Sequence, residues 1–353
     1  MQAYVLTSFD TPPEHREVAD PTPGPGEVRV RVLATSVNPV DTLVRRGFFR
    51  IANDYRFPAV YGRDLAGVVE SVGPGATRYA VGDEVFGFVK RPYIGDGTFA
   101  ELVVVPEDQF IAPRPRTLTM TQAGTLGLAG ITALECVDAA SGPGENVILV
   151  NGAAGGLGTF AVQLARARGA QVVAAVRSPD GAEHARAMGA HLVLDASDGD
   201  VVEQVRAAVP DGVTGLVDFV KRADPPIMGE DETDAQREFA RLAHGVLRAG
   251  GRAASVTNGG VPSLMGDLTY LNVHSTPSPH SLARFAALVD DGLVTSVVDE
   301  VYPFSGIDRA FERLGRGGVR GKLAVSLADP AADSPTDPAA GSPTGSAAGS
   351  STD

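Results

Sequence analysis

Apolar residues recur along this chain with two different periods, and the change of period falls near Met120. Before it, short runs alternate apolar and polar positions in the manner of half-buried strands. MQAYVLTSF opens the chain, and EVRVRVLAT (27–35) places Val28, Val30 and Val32 on one face. LAGVVESVG, DEVFGFV and FAELVVVP follow, each bounded by Gly, Pro or Asp. Strands at this spacing predict a small barrel or sandwich.

After Met120 the apolar spacing becomes helical. TQAGTLGLAGITALECVDAA predicts a helix, and NVILV, NGAAGGLG, TFAVQLARARG and AQVVAAV then read as strand, turn, helix and strand. The alternation continues with the helix AEHARAMG, the strand HLVLD, the helix VVEQVRAAV, the strand GLVDFV, the helix FARLAHGVLRAGG and the strand RAASV. Strands alternating with helices predict a parallel, doubly wound sheet. The polar, acidic stretch 221–235, with its Pro-Pro pair, reads as a loop insertion. Beyond Tyr270 come the helix SLARFAALVDDG, a strand around VVDEVYPF, the helix GIDRAFERL and the strand KLAVSL. From Ala328 only Ala, Asp, Pro, Ser, Thr and Gly remain, a composition that predicts a disordered tail.

Length and charge narrow the picture. With 353 residues the chain exceeds one ordinary core, so two domains are expected. A net charge of −13 without a basic run argues against nucleic acid or an anionic membrane as partner. The single cysteine, Cys136, excludes an internal disulfide and any multi-cysteine metal site. No signal peptide and no membrane-spanning run is visible, which together with Cys136 predicts a cytoplasmic protein.

The chemistry concentrates in NGAAGGLG (151–158). Gly152, Gly155 and Gly158 lie between an apolar strand and an amphipathic helix, where a Cβ would keep backbone amides from a pyrophosphate. The helix start adds unpaired N–H groups and a positive dipole end. Ala153, Ala154, Gly156 and Leu157 complete the cradle. At the end of the second strand, an NAD-binding unit usually carries Asp or Glu for the ribose hydroxyls. Here Arg177 and Ser178 stand there, and cation plus hydroxyl favour a 2′-phosphate, hence NADPH.

With these motifs on the page, the chain resembles the medium-chain dehydrogenase/reductase superfamily, in its zinc-independent quinone oxidoreductase-like branch. The resemblance is carried by SVNPVDTLVRRG (36–47), YGRDLAGVVESVG (61–73), VGDEVFGF (81–88), LAGITALE (128–135), NGAAGGLGTFAVQLAR (151–166), LRAGGR (247–252) and GKLAVSL (321–327). It implies an α/β fold: an N-terminal GroES-like β-barrel domain (1–121), a Rossmann domain (122–270), a return to the catalytic domain (271–327) and the tail (328–353). Its zinc-dependent members carry Cys at Asn38 and a His-Glu pair at Arg63-Asp64, and Asn and Arg replace neither thiolate nor imidazole. No catalytic metal is therefore expected. Without a Lewis acid, hydride delivery to a quinone or an α,β-unsaturated carbonyl is easier than ionising an alcohol.

By the same resemblance, Asn38 and Asp41 belong to the loop at the nicotinamide end. Asn38 either meets a substrate carbonyl or shapes the loop, and Asp41 holds the loop. Tyr61 and Arg63 are candidates to line the cleft, with Tyr61 a hypothetical proton donor. Thr132 approaches the carboxamide, and Val256 and Asn258 contact the cofactor from a strand end. Leu43 replaces a tyrosine common in relatives and implies a more apolar pocket. Gly181 and Ala196 replace two residues that relatives use at the 2′-phosphate, leaving that task to Arg177 and Ser178. Two other readings stay open: an enoyl or carbonyl reductase acting on a larger biosynthetic substrate, and an NADPH-binding protein without turnover. A homodimer formed through Rossmann sheet edges is expected by resemblance.

Overall fold

The structure is a computed structural model and describes residues 1–222 and 232–328. The stretch read as a loop insertion lies largely outside these residues, and the tail from 329 lies wholly outside them.

Six parallel strands form the sheet of the second half, in the spatial order Leu192–Asp195, Gln171–Val176, Val147–Asn151, Val213–Asp218, Leu247–Ser255 and Thr269–Asn272. The chain order therefore reverses between Val147–Asn151 and Val213–Asp218. Ligands bind at such a switch point, beyond the carboxyl ends of the strands. Val213–Asp218 is buried along its whole length, as a central parallel strand covered on both faces should be.

The first third builds two sheets. Glu27–Ser36, Asp64–Val72, Glu84–Phe88 and Ile111–Pro113 run antiparallel, and Leu102–Pro106 also pairs with Glu27–Ser36. The tightly alternating EVRVRVLAT is buried at Val28, Val30 and Val32, as its pattern predicts. A smaller sheet joins Glu14–Glu17, Gln2–Leu6, Asp54–Val60 and Tyr93–Asp96. Glu14–Glu17 (EHRE) is exposed at every position, so no hydrophobic alternation announces it.

Two boundaries differ from the periodicity. The run 121–140 forms two helices, Met120–Ala123 and Gly127–Ala140, rather than one. At the break Gly124 presses on Ala34, where a Cβ would lie 2.8 Å from the Ala34 Cβ. The segment after Tyr270 returns in two steps. The helix Pro279–Asp290 packs its Leu282, Phe285 and Val289 into the core beneath Gly127–Ala140 and Gly156–Ala167, with Phe285 edge-on to Phe160. The strands Val298–Pro303 and Lys322–Ser326 and the helix Ile307–Arg316 between them rejoin the barrel, the second strand pairing antiparallel with Glu27–Ser36 and the helix packing Ile307, Ala310 and Phe311 against Tyr4, Tyr61 and Phe99. This last pairing delivers Lys322 to the cleft between the two halves.

Candidate active site

A cleft of about 870 Å³ opens between the halves at the switch point. That volume suits a dinucleotide together with a small acceptor. One wall is the glycine turn. Gly152 has a φ of +82°, and a Cβ on Gly158 would lie 2.2 Å from the Gly152 carbonyl oxygen. These two glycines let the helix Gly156–Ala167 start against the turn. Gly155 faces open space, with nothing but the Gly152 oxygen at 3.6 Å from a notional Cβ. The amides at the helix start have no intrahelical acceptor and face this space. The cradle fits a pyrophosphate.

Gly152, Gly155, Gly156, Leu157, Gly158, Thr132, Val256 and Asn258 all line the cleft, together with Phe219. Ala153 is buried within the turn, and the Ala154 carbonyl accepts from the amide of Gly321 at 3.1 Å. Arg177 and Ser178 lie outside the cleft lining, exposed at the end of Gln171–Val176. Ser178 caps the helix Pro179–Ala187, its hydroxyl oxygen accepting from the Gly181 amide at 3.1 Å. Accepting that bond leaves the O–H free to donate.

The facing wall is a buried polar knot. Asp64, at the start of its strand, has no solvent exposure. Its Oδ1 accepts from the Leu128 amide at 2.6 Å, and its Oδ2 accepts from Ser36 Oγ at 2.5 Å and Asn38 Nδ2 at 2.9 Å. Lys322 Nζ donates to Asn38 Oδ1 and lies 3.5 Å from Asp64 Oδ2. The Asn38 amide is thus bonded to protein through both its oxygen and its nitrogen, the nitrogen also lying 3.4 Å from the Ser36 carbonyl oxygen. The Lys322 stem crosses the cofactor turn, for a Cβ on Gly156 would lie 3.0 Å from its Cδ. One lysine thereby meets the dinucleotide cradle with its stem, and the loop 36–41 and the buried carboxylate with its ammonium.

Asp41 is bonded within its own loop. Its Oδ2 accepts from the Asn38 amide at 2.8 Å, closing a capping box on the helix Pro39–Arg45. It does not reach the cleft. It borders an inner cavity of about 50 Å³, and its Oδ1 has no hydrogen-bond partner. Burial pushes this carboxyl up to about 7, against the opposing pull of Arg63 and the Asn38 amide.

Tyr61 requires a correction. Its ring packs among Tyr4, Phe99 and Phe311, and it borders the inner cavity rather than the cleft. Only 2% of it is exposed, its hydroxyl has no hydrogen-bond partner, and burial raises its pKa far above the ordinary phenol value. A proton donor must reach the reacting atoms, and Tyr61 is not among the residues that line the cleft. Arg63 does line the cleft, and it lines the inner cavity as well.

Sequence reasoning named Asn38 and Arg63 but passed over Asp64 and Lys322 as site residues, and over Lys90, whose ammonium is anchored on the carbonyls of His274 and Ser275. The available signals were the acidic residue after Arg63 and the lysine opening the last apolar strand. Among the described residues, no three His, Cys, Asp or Glu side chains converge as a metal site would require. No described helix is long and apolar enough to cross a membrane.

Residues 24–116 match the profile of the alcohol dehydrogenase GroES-like domain, and residues 156–225 that of the zinc-binding dehydrogenases. The mitochondrial NAD(P)H oxidoreductase RTN4IP1 of Homo sapiens is 32% identical over 332 residues, covering 86% of this chain and 82% of its own. The chain belongs to the medium-chain dehydrogenase/reductase superfamily, in its quinone oxidoreductase-like branch. The quinone oxidoreductase of Mus musculus is another relative in this branch, 28% identical and covering 88% of this chain and 92% of its own. Among solved structures, an alcohol dehydrogenase superfamily protein from Novosphingobium aromaticivorans superposes with a TM-score of 0.77 at 29% identity, covering 93% of this chain and all of its own. The GroES-like barrel and the Rossmann sheet described above are this superfamily's two halves.

Proposed function

We propose that this protein is a zinc-free reductase that transfers hydride from NADPH to a quinone or an α,β-unsaturated carbonyl. The observation that carries the reading is the Lys322–Asn38–Asp64 knot, with Asn38 where a metal-dependent relative would need a thiolate and Arg63, beside Asp64, where it would need an imidazole. An amide bonded through both its oxygen and its nitrogen and a carboxylate already holding four partners are poor zinc ligands.

Bound nicotinamide supplies the hydride. The chain's residues then have two tasks. The first is to hold the acceptor flat in a dry space, and Leu43, Phe48, Phe49 and Leu128 line the cleft with apolar surface. The second is to stabilise charge that moves onto the acceptor's oxygen. Lys322 gives one N–H to Asn38 and faces Asp64 with its ammonium, which leaves a donor on the cleft side. A fixed cation in a site of low dielectric is effective there because it need not reorganise. Water delivers the proton that completes the reduced product.

Arg177 and the free O–H of Ser178 support NADPH over NADH. Asp195, at the neighbouring strand end, is the one nearby carboxylate in register, and it is tied to Ser197 through the amide and hydroxyl. A single, buried cysteine suits a reducing compartment, whether the cytoplasm or an organelle such as the mitochondrion named for the human relative. The edge strand Thr269–Asn272, with Leu271 half exposed, supports a homodimer through paired sheet edges.

The reading is tested by following NADPH and NADH oxidation with a panel of quinones and enones. We expect turnover with conjugated acceptors, a preference for NADPH, and about a tenfold loss of that preference in Arg177→Ala, the scale of one charge-assisted contact. Absence of NADPH consumption with every acceptor would sink the reductase reading. Equal efficiency with NADH would sink only the cofactor preference.

A further inference from the structure

Among the described residues, six cationic side chains line the cleft, Arg46, Arg50, Arg63, Lys90, Lys221 and Lys322, and no aspartate or glutamate does. This is an unusual wall for a chain of net charge −13. A pyrophosphate at the glycine turn would account for part of it, and several of the cations have partners within the protein: Arg46 and Lys221 among them, Lys322 with Asn38 and Asp64, and Lys90 with the 274–275 backbone and Thr276.

Arg63 is different. It sits largely buried beside Asp64, yet its guanidinium makes no hydrogen bond or ion pair with any described residue, and its buried Nε has no partner. Of the carboxylates that act on it electrostatically, Asp64 is engaged with Leu128, Ser36 and Asn38, and Asp41 is engaged through Oδ2 with the Asn38 amide while its Oδ1 stays unpartnered. A guanidinium in a low-dielectric wall is costly unless an anion meets it. Its planar fork matches one carboxylate in bidentate fashion. A phosphate dianion would call for further uncommitted donors on the same side.

We propose that Arg63 receives a carboxylate of the acceptor, so that the substrate class is a conjugated carbonyl compound bearing a carboxylate and an apolar body. This rests on the reductase reading above. The apolar body lies against Leu43, Phe48 and Phe49, on the same cleft wall system. The pairing also has a chemical purpose. A free carboxylate next to the carbon that accepts hydride repels incoming negative charge, and a guanidinium on that carboxylate cancels the repulsion.

The test uses trans-4-oxo-2-pentenoate and its methyl ester, the first carrying the negative charge that the second lacks, with each rate taken relative to that of Arg63→Gln. Hydride adds to the alkene carbon bearing the carboxylate, the electron pair of the double bond moves toward the ketone, and water protonates the adjacent carbon to give 4-oxopentanoate. The full-length enzyme should favour the acid over the ester in kcat/KM by about tenfold to a hundredfold, the range of a charge-assisted bidentate pair. Arg63→Gln should abolish that preference chiefly through KM, and Arg63→Lys should retain part of it. Calorimetry of the NADP⁺-loaded protein supplies a readout without turnover: 4-oxopentanoate should bind at least about ten times more weakly to Arg63→Gln. Equal use of acid and ester by the unaltered enzyme overturns the proposal, and needs no variant to fold. So does an Arg63→Gln that slows both substrates alike. Arg63-dependent binding of 4-oxopentanoate without reduction of either acceptor would uphold the carboxylate site while removing the reductase reading.

Discussion

Between Tyr61 and Arg63 stands Gly62, whose φ of +93° and closeness to Phe99 (2.5 Å from a notional Cβ) admit no side chain. The bend turns Tyr61 into the barrel core and Arg63 toward the cleft. Their nearness in sequence made both candidates to line the cleft, and this bend is what separates them. Removing an unpartnered buried hydroxyl relieves a desolvation cost of about 1 kcal/mol. Tyr61→Phe should therefore keep kcat and KM and leave the urea midpoint equal or higher, and a large loss of kcat would restore its candidacy as donor. Asp41 makes a pH-dependent contribution of the opposite kind to an ordinary ion-paired aspartate. Its carboxyl rises from 3.8 to about 7 in the folded protein. Folding thus takes up a proton between those values, and stability falls as pH climbs through them. Asp41→Asn should flatten the fall between pH 4 and 7, worth a few kcal/mol in urea titrations. An unchanged slope would mean that the carboxyl ionises normally.

At the scale of elements, the dinucleotide unit was legible because its information is local. Strand, glycine turn, helix and second strand follow one another within 147–176, and each is readable from its own period. The opposite wall was not. Lys322 and Asn38 meet across 284 positions of sequence, and they do so only because Lys322–Ser326 slides in beside Glu27–Ser36. No period of two or 3.6 encodes such a pairing. The exposed strand Glu14–Glu17 was illegible for a related reason, since its place depends on backbone pairing with Gln2–Leu6 alone. The final strand's contribution can be measured. Lys322 is 5% exposed and Asp64 fully buried, so Lys322→Met leaves a buried carboxylate without its cation. A loss on the order of 3 kcal/mol is expected, with partial recovery when Asp64→Asn is added. Additive losses in that double-mutant cycle would show the pair to be uncoupled.

For the molecule as a whole, the acidic exterior and the cationic cleft divide the charge by location. Fields from the cleft walls concentrate in the opening and draw anionic ligands there, while the net charge discourages loose association with nucleic acid. The proposed dimer must therefore rest on sheet edges rather than on charge. Sedimentation at micromolar concentration should give twice the chain mass, and Leu271→Lys should shift it toward the monomer; a monomer in the unaltered protein would remove the proposal. The domain order along the chain also carries a consequence for time rather than space. The barrel strands and the glycine turn are all synthesised before Lys322, yet the cleft lacks the cation that joins Asn38 and Asp64 until that strand inserts. Pairings across so much sequence are slow to form. The nascent protein should accordingly gain its grip on the dinucleotide first and its reactivity last, as a lock that accepts the key before the bolt has been fitted.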